Sequence, residues 1–173
     1  FPDYNAATPE TTADEYNALI SQISNTNALV ASTISTFSLA ADTRQKEFQK
    51  NPTSLFKILS PISAYVRAKY GKTSKQASDI TNLVNKIRGE KTDKLKKDAE
   101  GEFVSQSERS YGSQTQNFSD IINTLTSYGV SYAPTNDEIS IANLNIKLGL
   151  LININANVTA AYGRLKPTKE MRT

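Results

Sequence analysis

From Thr12 to Phe48 the chain returns to one helical face in alternating steps of four and three, through Tyr16, Ile20, Ile23, Asn27, Val30, Ile34, Phe37, Ala41, Arg44 and Phe48. A strand would return every second residue; this series predicts one long helix near 13–50 with a single seam turned toward a partner helix. At about 1.5 Å per residue that helix exceeds ~50 Å. Asn51-Pro52 stops it, and Pro52 fits the first turn of a following helix whose apolar face is Leu55, Leu59, Ile62, Val66 and Tyr70. Gly71 ends that helix. A third, from Ser74, carries Ala77, Ile80, Val84 and Ile87 before Gly89 and a charged run through Glu102. A short fourth near 114–128 carries Phe118, Ile121, Ile122 and Leu125, and Gly129 and Pro134 separate it from the last segment.

That last segment reads two ways. Ile152, Ile154 and Val158 alternate with Asn153, Asn155 and Asn157, which is a strand signature. Ile141, Leu144, Leu148, Leu151, Asn155, Val158, Tyr162 and Leu165 also follow a heptad, and a cap motif precedes them, so helix over 136–166 is the expectation. The fold class is then all-α: a single domain over 1–173 holding a bundle of about five helices, two to three long and two short. Residues 1–11 form an N-terminal extension and 167–173 a tail. Three capping boxes, Thr12-Ala-Asp-Glu15, Thr73-Ser-Lys-Gln76 and Thr135-Asn-Asp-Glu138, lie about 61 residues apart. Tyr65 and Tyr70 after Phe56 stand in the same order as Tyr128 and Tyr132 after Phe118. Together they point to a degenerate repeat of a long helix followed by a short one.

Composition narrows the chemistry. The 173 residues contain no cysteine and no histidine, which removes disulfides, thiolate nucleophiles, Cys or His zinc sites, the usual catalytic triad and a near-neutral pH switch. A metal would need carboxylates alone, and no cofactor or small-molecule substrate is indicated. With 38% hydrophobic residues and no tryptophan, the core must come from aliphatic side chains, Phe, Tyr and many alanines. The longest strongly apolar run, 148–152, is far shorter than the ~20 residues that span a bilayer. The chain opens at Phe1 and its single methionine is Met171, which predicts a gene product that continues upstream.

Matches to catalytic motifs dissolve on inspection. Ser54-Leu-Phe-Lys57 lacks the companion motifs of penicillin-binding enzymes, and Gly71-Lys72-Thr73 lacks the upstream glycine and strand of a phosphate-binding loop. The sequons at Asn117 and Asn157 fall in expected helices. Asp14 with Glu15, and Asp137 with Glu138, sit in first helical turns, where negative charge complements the helix dipole. The chain is expected not to be an enzyme.

Charge is laid out in blocks. Residues 1–43 hold five acids and no base, and 44–97 hold fourteen bases against four acids. Seven acids against Arg109 follow over 98–146, then five bases against Glu170. Between Tyr16 and Ala41 there is no charged residue, and between Ile139 and Gly163 only Lys147. Surface helices ordinarily turn Lys and Glu outward, so these two small, uncharged helices are expected to pack closely, either on each other as the core pair of one bundle or on other subunits as an assembly face. The basic tract Arg67, Lys69, Lys72, Lys75, Lys86, Arg88, Lys91, Lys94, Lys96 and Lys97 is the other candidate surface. Nine of its members, Lys75 aside, are the candidate contacts to an anionic partner, with Tyr65 and Tyr70 near enough to stack on bases.

The stretch Ala64-Tyr-Val-Arg-Ala-Lys-Tyr-Gly-Lys-Thr-Ser-Lys-Gln-Ala-Ser-Asp-Ile, after a long helix and a proline-initiated short one, resembles a segment of uncharacterised helical bacterial proteins; the likeness centres on residues 52–88 and carries no activity with it. In composition the uncharged helices are similar to the helical parts of self-assembling surface and filament proteins. The expected function is a non-catalytic structural or protein-interaction module, self-associating or binding a protein partner. Nucleic-acid or ribosome binding through 67–97 is the alternative, and a carrier bundle with an apolar cavity is a third reading.

Overall fold

The computed structural model describes residues 7–9, 12–90 and 110–170, and among them it is all-α with no strand. Five α-helices follow in order: α1 Ala13–Gln45, α2 Leu55–Tyr70, α3 Lys75–Arg88, α4 Tyr111–Ser127 and α5 Ile141–Glu170. A π-helical turn, Lys46–Lys50, prolongs α1, and two 3-10 turns, Gly129–Ser131 and Asp137–Ile139, lie between α4 and α5. Two helices are long and three are short. The strand reading of 144–158 is overturned, since every residue there is helical. The 30-residue α5 runs through Pro167, so residues 167–170 of the expected tail are helix.

The chain separates into two compact units. One comprises residues up to Asp42 and from Asn157 onward, the other Thr43–Ala156.

In the larger unit the short helices bury the faces that the sequence marks. Leu55, Leu59, Ile62 and Val66 of α2, Ile80, Val84 and Ile87 of α3, and Phe118, Ile121, Ile122 and Leu125 of α4 form one cluster with Phe48, Leu144 and Leu151. Helices α2 and α3 run antiparallel, with Arg67 donating to Thr81 Oγ1 and Arg88 to Ser60 Oγ across the crossing. Glycine supplies the stops: Gly89, at φ 70°, closes α3 in a Schellman arrangement in which its own N–H bonds Lys86 O and the N–H of Glu90 bonds Asn85 O.

Four tyrosines tie the segment after α4 to α2. Tyr65 packs edge-on against Tyr132, with ring centres 5.2 Å apart, and Tyr70 against Tyr128 at the same separation. Their hydroxyls are engaged as well. Tyr132 donates to Ile139 O at 2.7 Å, Tyr70 bonds Ser131 Oγ at 2.7 Å, Tyr65 accepts from the N–H of Ala133, and Tyr128 donates weakly to Gln76 O.

The smaller unit is an antiparallel pair. Thr33 of α1 meets Thr168 of α5, Oγ1 to Oγ1 at 3.1 Å, and Phe37 packs on Tyr162 with ring centres 5.8 Å apart. The covered positions of α1 are Thr26, Val30, Thr33, Phe37 and Ala40, and those facing them on α5 are Val158, Ala161, Leu165 and Thr168. Both sets step by three and four, as a heptad seam requires. The α1 seam is therefore displaced from the expected one: Asn27 and Ile34 are exposed, and Thr26 and Thr33 lie inward in their place.

At one of the three expected cap motifs the expected threonine accepts the N–H of the residue three positions on. The N–H of Glu15 bonds Thr12 Oγ1 at 3.2 Å. At α3 the cap is Ser74, whose Oγ accepts from the N–H of Ala77, rather than Thr73. Before α5, Asn136 caps the 3-10 turn through the N–H of Glu138, and Ser140 caps the helix through the N–H of Asn143. The caps in use, Thr12, Ser74 and Asn136, still stand 62 residues apart, but Ser140 rather than Asn136 opens α5, and the described helices run long, three short, long, which does not establish the long-then-short repeat.

Candidate interaction surfaces

N-terminal to its covered stretch, α1 carries large apolar side chains in the open. Tyr16 is 47% exposed, Leu19 50%, Ile20 63% and Ile23 51%. Tyr16, Leu19 and Ile23 continue, in the same steps of three and four, the seam of Thr26, Val30, Thr33 and Phe37 that α5 meets at Thr33 and Phe37, and Ile20 flanks them. The rest of the helix surface there is less polar than its composition suggests. Ser21 Oγ donates to Asn17 O at 2.8 Å, Thr26 Oγ1 to Gln22 O at 2.9 Å, Thr33 Oγ1 to Leu29 O at 3.0 Å and Thr36 Oγ1 to Ser32 O at 2.9 Å. A hydroxyl already donating to the backbone four residues back has no unpaired donor, so covering it costs less than covering a free hydroxyl. Runs of adjacent exposed apolar groups on one helix mark contact surfaces rather than ordinary solvent-facing ones.

The basic tract is less convergent. Arg67 and Lys69 lie on α2 and Lys86 and Arg88 on α3, each pair two residues apart and so about 200° around its helix. Arg67 and Arg88 are the two side chains that bridge the α2–α3 crossing, while Lys69, Lys72 and Lys86 are exposed. Lys75 pairs with Asp79 at 2.6 Å. Lys91, Lys94, Lys96 and Lys97 lie outside the described residues. Tyr65 and Tyr70, expected as stacking platforms for bases, instead have ring and hydroxyl engaged by residues 128–133.

A groove of about 450 Å³ opens on the larger unit between the π turn, the start of α2 and the start of α5, lined in part by Glu47, Pro52, Lys57, Pro61, Lys147 and Leu150. Lys147 Nζ lies 2.7 Å from Glu47 Oε2, and Asn51 Nδ2 donates to Glu47 Oε1 at 2.7 Å. With both oxygens engaged, Glu47 is tied to its neighbours rather than poised as a base. The groove is open to solvent and has a charged pair in its wall, unlike the enclosed apolar cavity of a carrier.

Other chemistries gain nothing from the geometry. Ser54 is fully buried at the start of α2 and Asn117 is buried in α4, which removes the one as a nucleophile open to substrate and the other as a glycan acceptor. Among the described residues no three acidic side chains gather as a metal site, and no helix is long and apolar enough to cross a membrane. Compared with known proteins, the chain matches no family model, no curated protein and no solved structure.

Proposed function

We propose that the chain is a non-catalytic structural or protein-interaction module that associates through its long uncharged helices. The observation that carries this reading is the exposed seam of Tyr16, Leu19 and Ile23 on α1, flanked by Ile20 and in register with a seam already covered by α5. The absence of charge between Tyr16 and Ala41 and the self-bonded hydroxyls of Ser21 and Thr26 support it, because both lower the cost of drying the helix.

Light scattering on the purified chain at low and high salt, over a tenfold or wider concentration range, tests it. A mass that rises with concentration and is insensitive to salt is the expected result; a strict monomer that captures no protein partner refutes it. Nucleic-acid or ribosome binding, the alternative, would show as an affinity that falls steeply with salt and drops on reversal of Lys94, Lys96 and Lys97.

A further inference from the structure

We infer that the exposed α1 seam docks antiparallel onto the same seam of a second copy of this chain, Leu19 of each against Ile23 of the other. The inference rests on the interaction-module reading and makes it specific: it names the occupant, the register and the direction.

Three observations select that occupant. The first is continuity. Helix α5 runs antiparallel to α1 and covers its seam at Thr33 and Phe37, and the described part of α5 ends at Glu170, two residues beyond Thr168. Tyr16, Leu19 and Ile23 extend the covered seam toward the N-terminus in unbroken register. A second α1 laid antiparallel on these residues carries on beyond the described end of α5, and from Tyr16 to Ala41 it brings no charged residue to the seam.

The second is charge. In that register Asp14 and Glu15 of the second copy fall beside Ala28 and Asn27 and meet no acid on α1. They lie toward the last turns of α5, where Lys166 and Lys169 outnumber the one acid, Glu170, all three exposed. An acidic helix start then faces a basic helix end, and the two helix dipoles meet with opposite sign. Parallel docking would set Asp14 and Glu15 of one copy beside those of the other.

The third is area. Four apolar side chains, each about half exposed, offer roughly 300–400 Å² per copy, near half of the ~800 Å² per partner in a standard stable interface. Association through this seam alone is therefore weak and concentration-dependent, which sets the range in which to look.

The test uses the cysteine-free background of the chain. Copies carrying Leu19→Cys are mixed with copies carrying Ile23→Cys and oxidised, and the antiparallel seating yields the mixed disulfide in preference to either homodimer, because only the mixed pair brings its Cβ atoms within bridging distance. Prevalence of the two homodimers overturns the antiparallel direction. In parallel, Leu19→Glu and Ile23→Glu are compared with the unmodified chain by sedimentation, with far-ultraviolet circular dichroism confirming that α1 remains helical. Each substitution should weaken self-association by on the order of tenfold or more. An oligomer indifferent to both substitutions refutes this interface and leaves the interaction-module reading standing. An unmodified chain that stays monomeric at the highest concentration refutes this interface, and if it also captures no protein partner the broader reading falls with it.

Discussion

Replacing Tyr132 by phenylalanine removes one oxygen atom and leaves the ring. Tyr132 is 6% exposed, its hydroxyl donates to the carbonyl of buried Ile139 at 2.7 Å, and its ring lies edge-on to Tyr65. The substitution keeps the aromatic contact and takes a donor from a buried carbonyl, a loss of about 1–2 kcal/mol. With a urea slope of about 1–2 kcal/mol per molar, the midpoint of unfolding should fall by roughly 1 M at neutral pH, with the slope unchanged. The gap should also close in alkali. Burial first, and then the charge of Tyr65 and Tyr70 if ionised, hold the Tyr132 phenol above its ordinary value near 10. The unfolded chain therefore loses this proton first, so the stabilisation is complete below about pH 10 and is lost as pH rises from there through the folded value. One proton so linked is worth about 1.4 kcal/mol per pH unit, so by pH 11 Tyr132→Phe should be nearly as stable as the parent chain. A urea midpoint that does not move at pH 7 would refute the anchoring role of this bond, and a gap that stays constant to pH 11 would refute the shifted titration.

Phe118→Ala, at a site with no exposure, should cost about 3–5 kcal/mol, whereas Ile20→Ala on the open seam should leave the chemical stability of the isolated chain within about 0.5 kcal/mol; equal effects in urea titrations would contradict the burial pattern. The Glu47–Lys147 pair, with side chains only 21% and 11% exposed, should show a coupling of about 1–3 kcal/mol in a double-mutant cycle with Glu47→Gln and Lys147→Met. A coupling near zero would place it among solvent-screened surface pairs. Gly149→Ala, in the middle of α5 with open space around it, should stabilise by about 0.5–1 kcal/mol, while Gly129→Ala, at φ 59°, should destabilise by about 1 kcal/mol. Thermal melts of the two variants should shift in opposite directions.

Much of the larger unit is legible in the sequence, because its short helices each display one clean apolar face closed by a glycine. Ala77, Ile80, Val84 and Ile87 admit no second face, and Gly89 stops the helix that they define. The seam of α1 is harder to read. Leu19 and Ile20 are adjacent and both apolar, and Thr33 stands beside Ile34; hydropathy favours Ile34 for the interior. The structure places Thr33 there because its partner is Thr168, a hydroxyl that no local pattern on α1 announces. Two of the cap residues fall one position on from the expected ones for a related reason: a serine or asparagine there competes for the same orphan N–H groups, as Ser74 and Asn136 do. The correspondence of Tyr65 and Tyr70 with Tyr128 and Tyr132, read as a repeat, marks residues that touch one another. The exposed seam itself was legible only as a lack of charge, since sequence alone does not say where along α1 the cover ends.

The tyrosine quartet also makes the protein report on itself. The chain has eight tyrosines and no tryptophan, and four of the tyrosines lie in two close ring pairs at the junction of α2 with residues 128–133. Coupled aromatic rings held at fixed angles generate near-ultraviolet circular dichroism, and with no indole to mask them the two tyrosine–tyrosine pairs of this junction contribute to that signal alongside Tyr111 on Phe48 and Tyr162 on Phe37. Its loss on heating or in denaturant times mainly the opening of the larger unit, which holds all of these pairs but the last, while far-ultraviolet ellipticity follows all the helices together, so two wavelengths on unlabelled protein are enough to ask whether the two units melt as one.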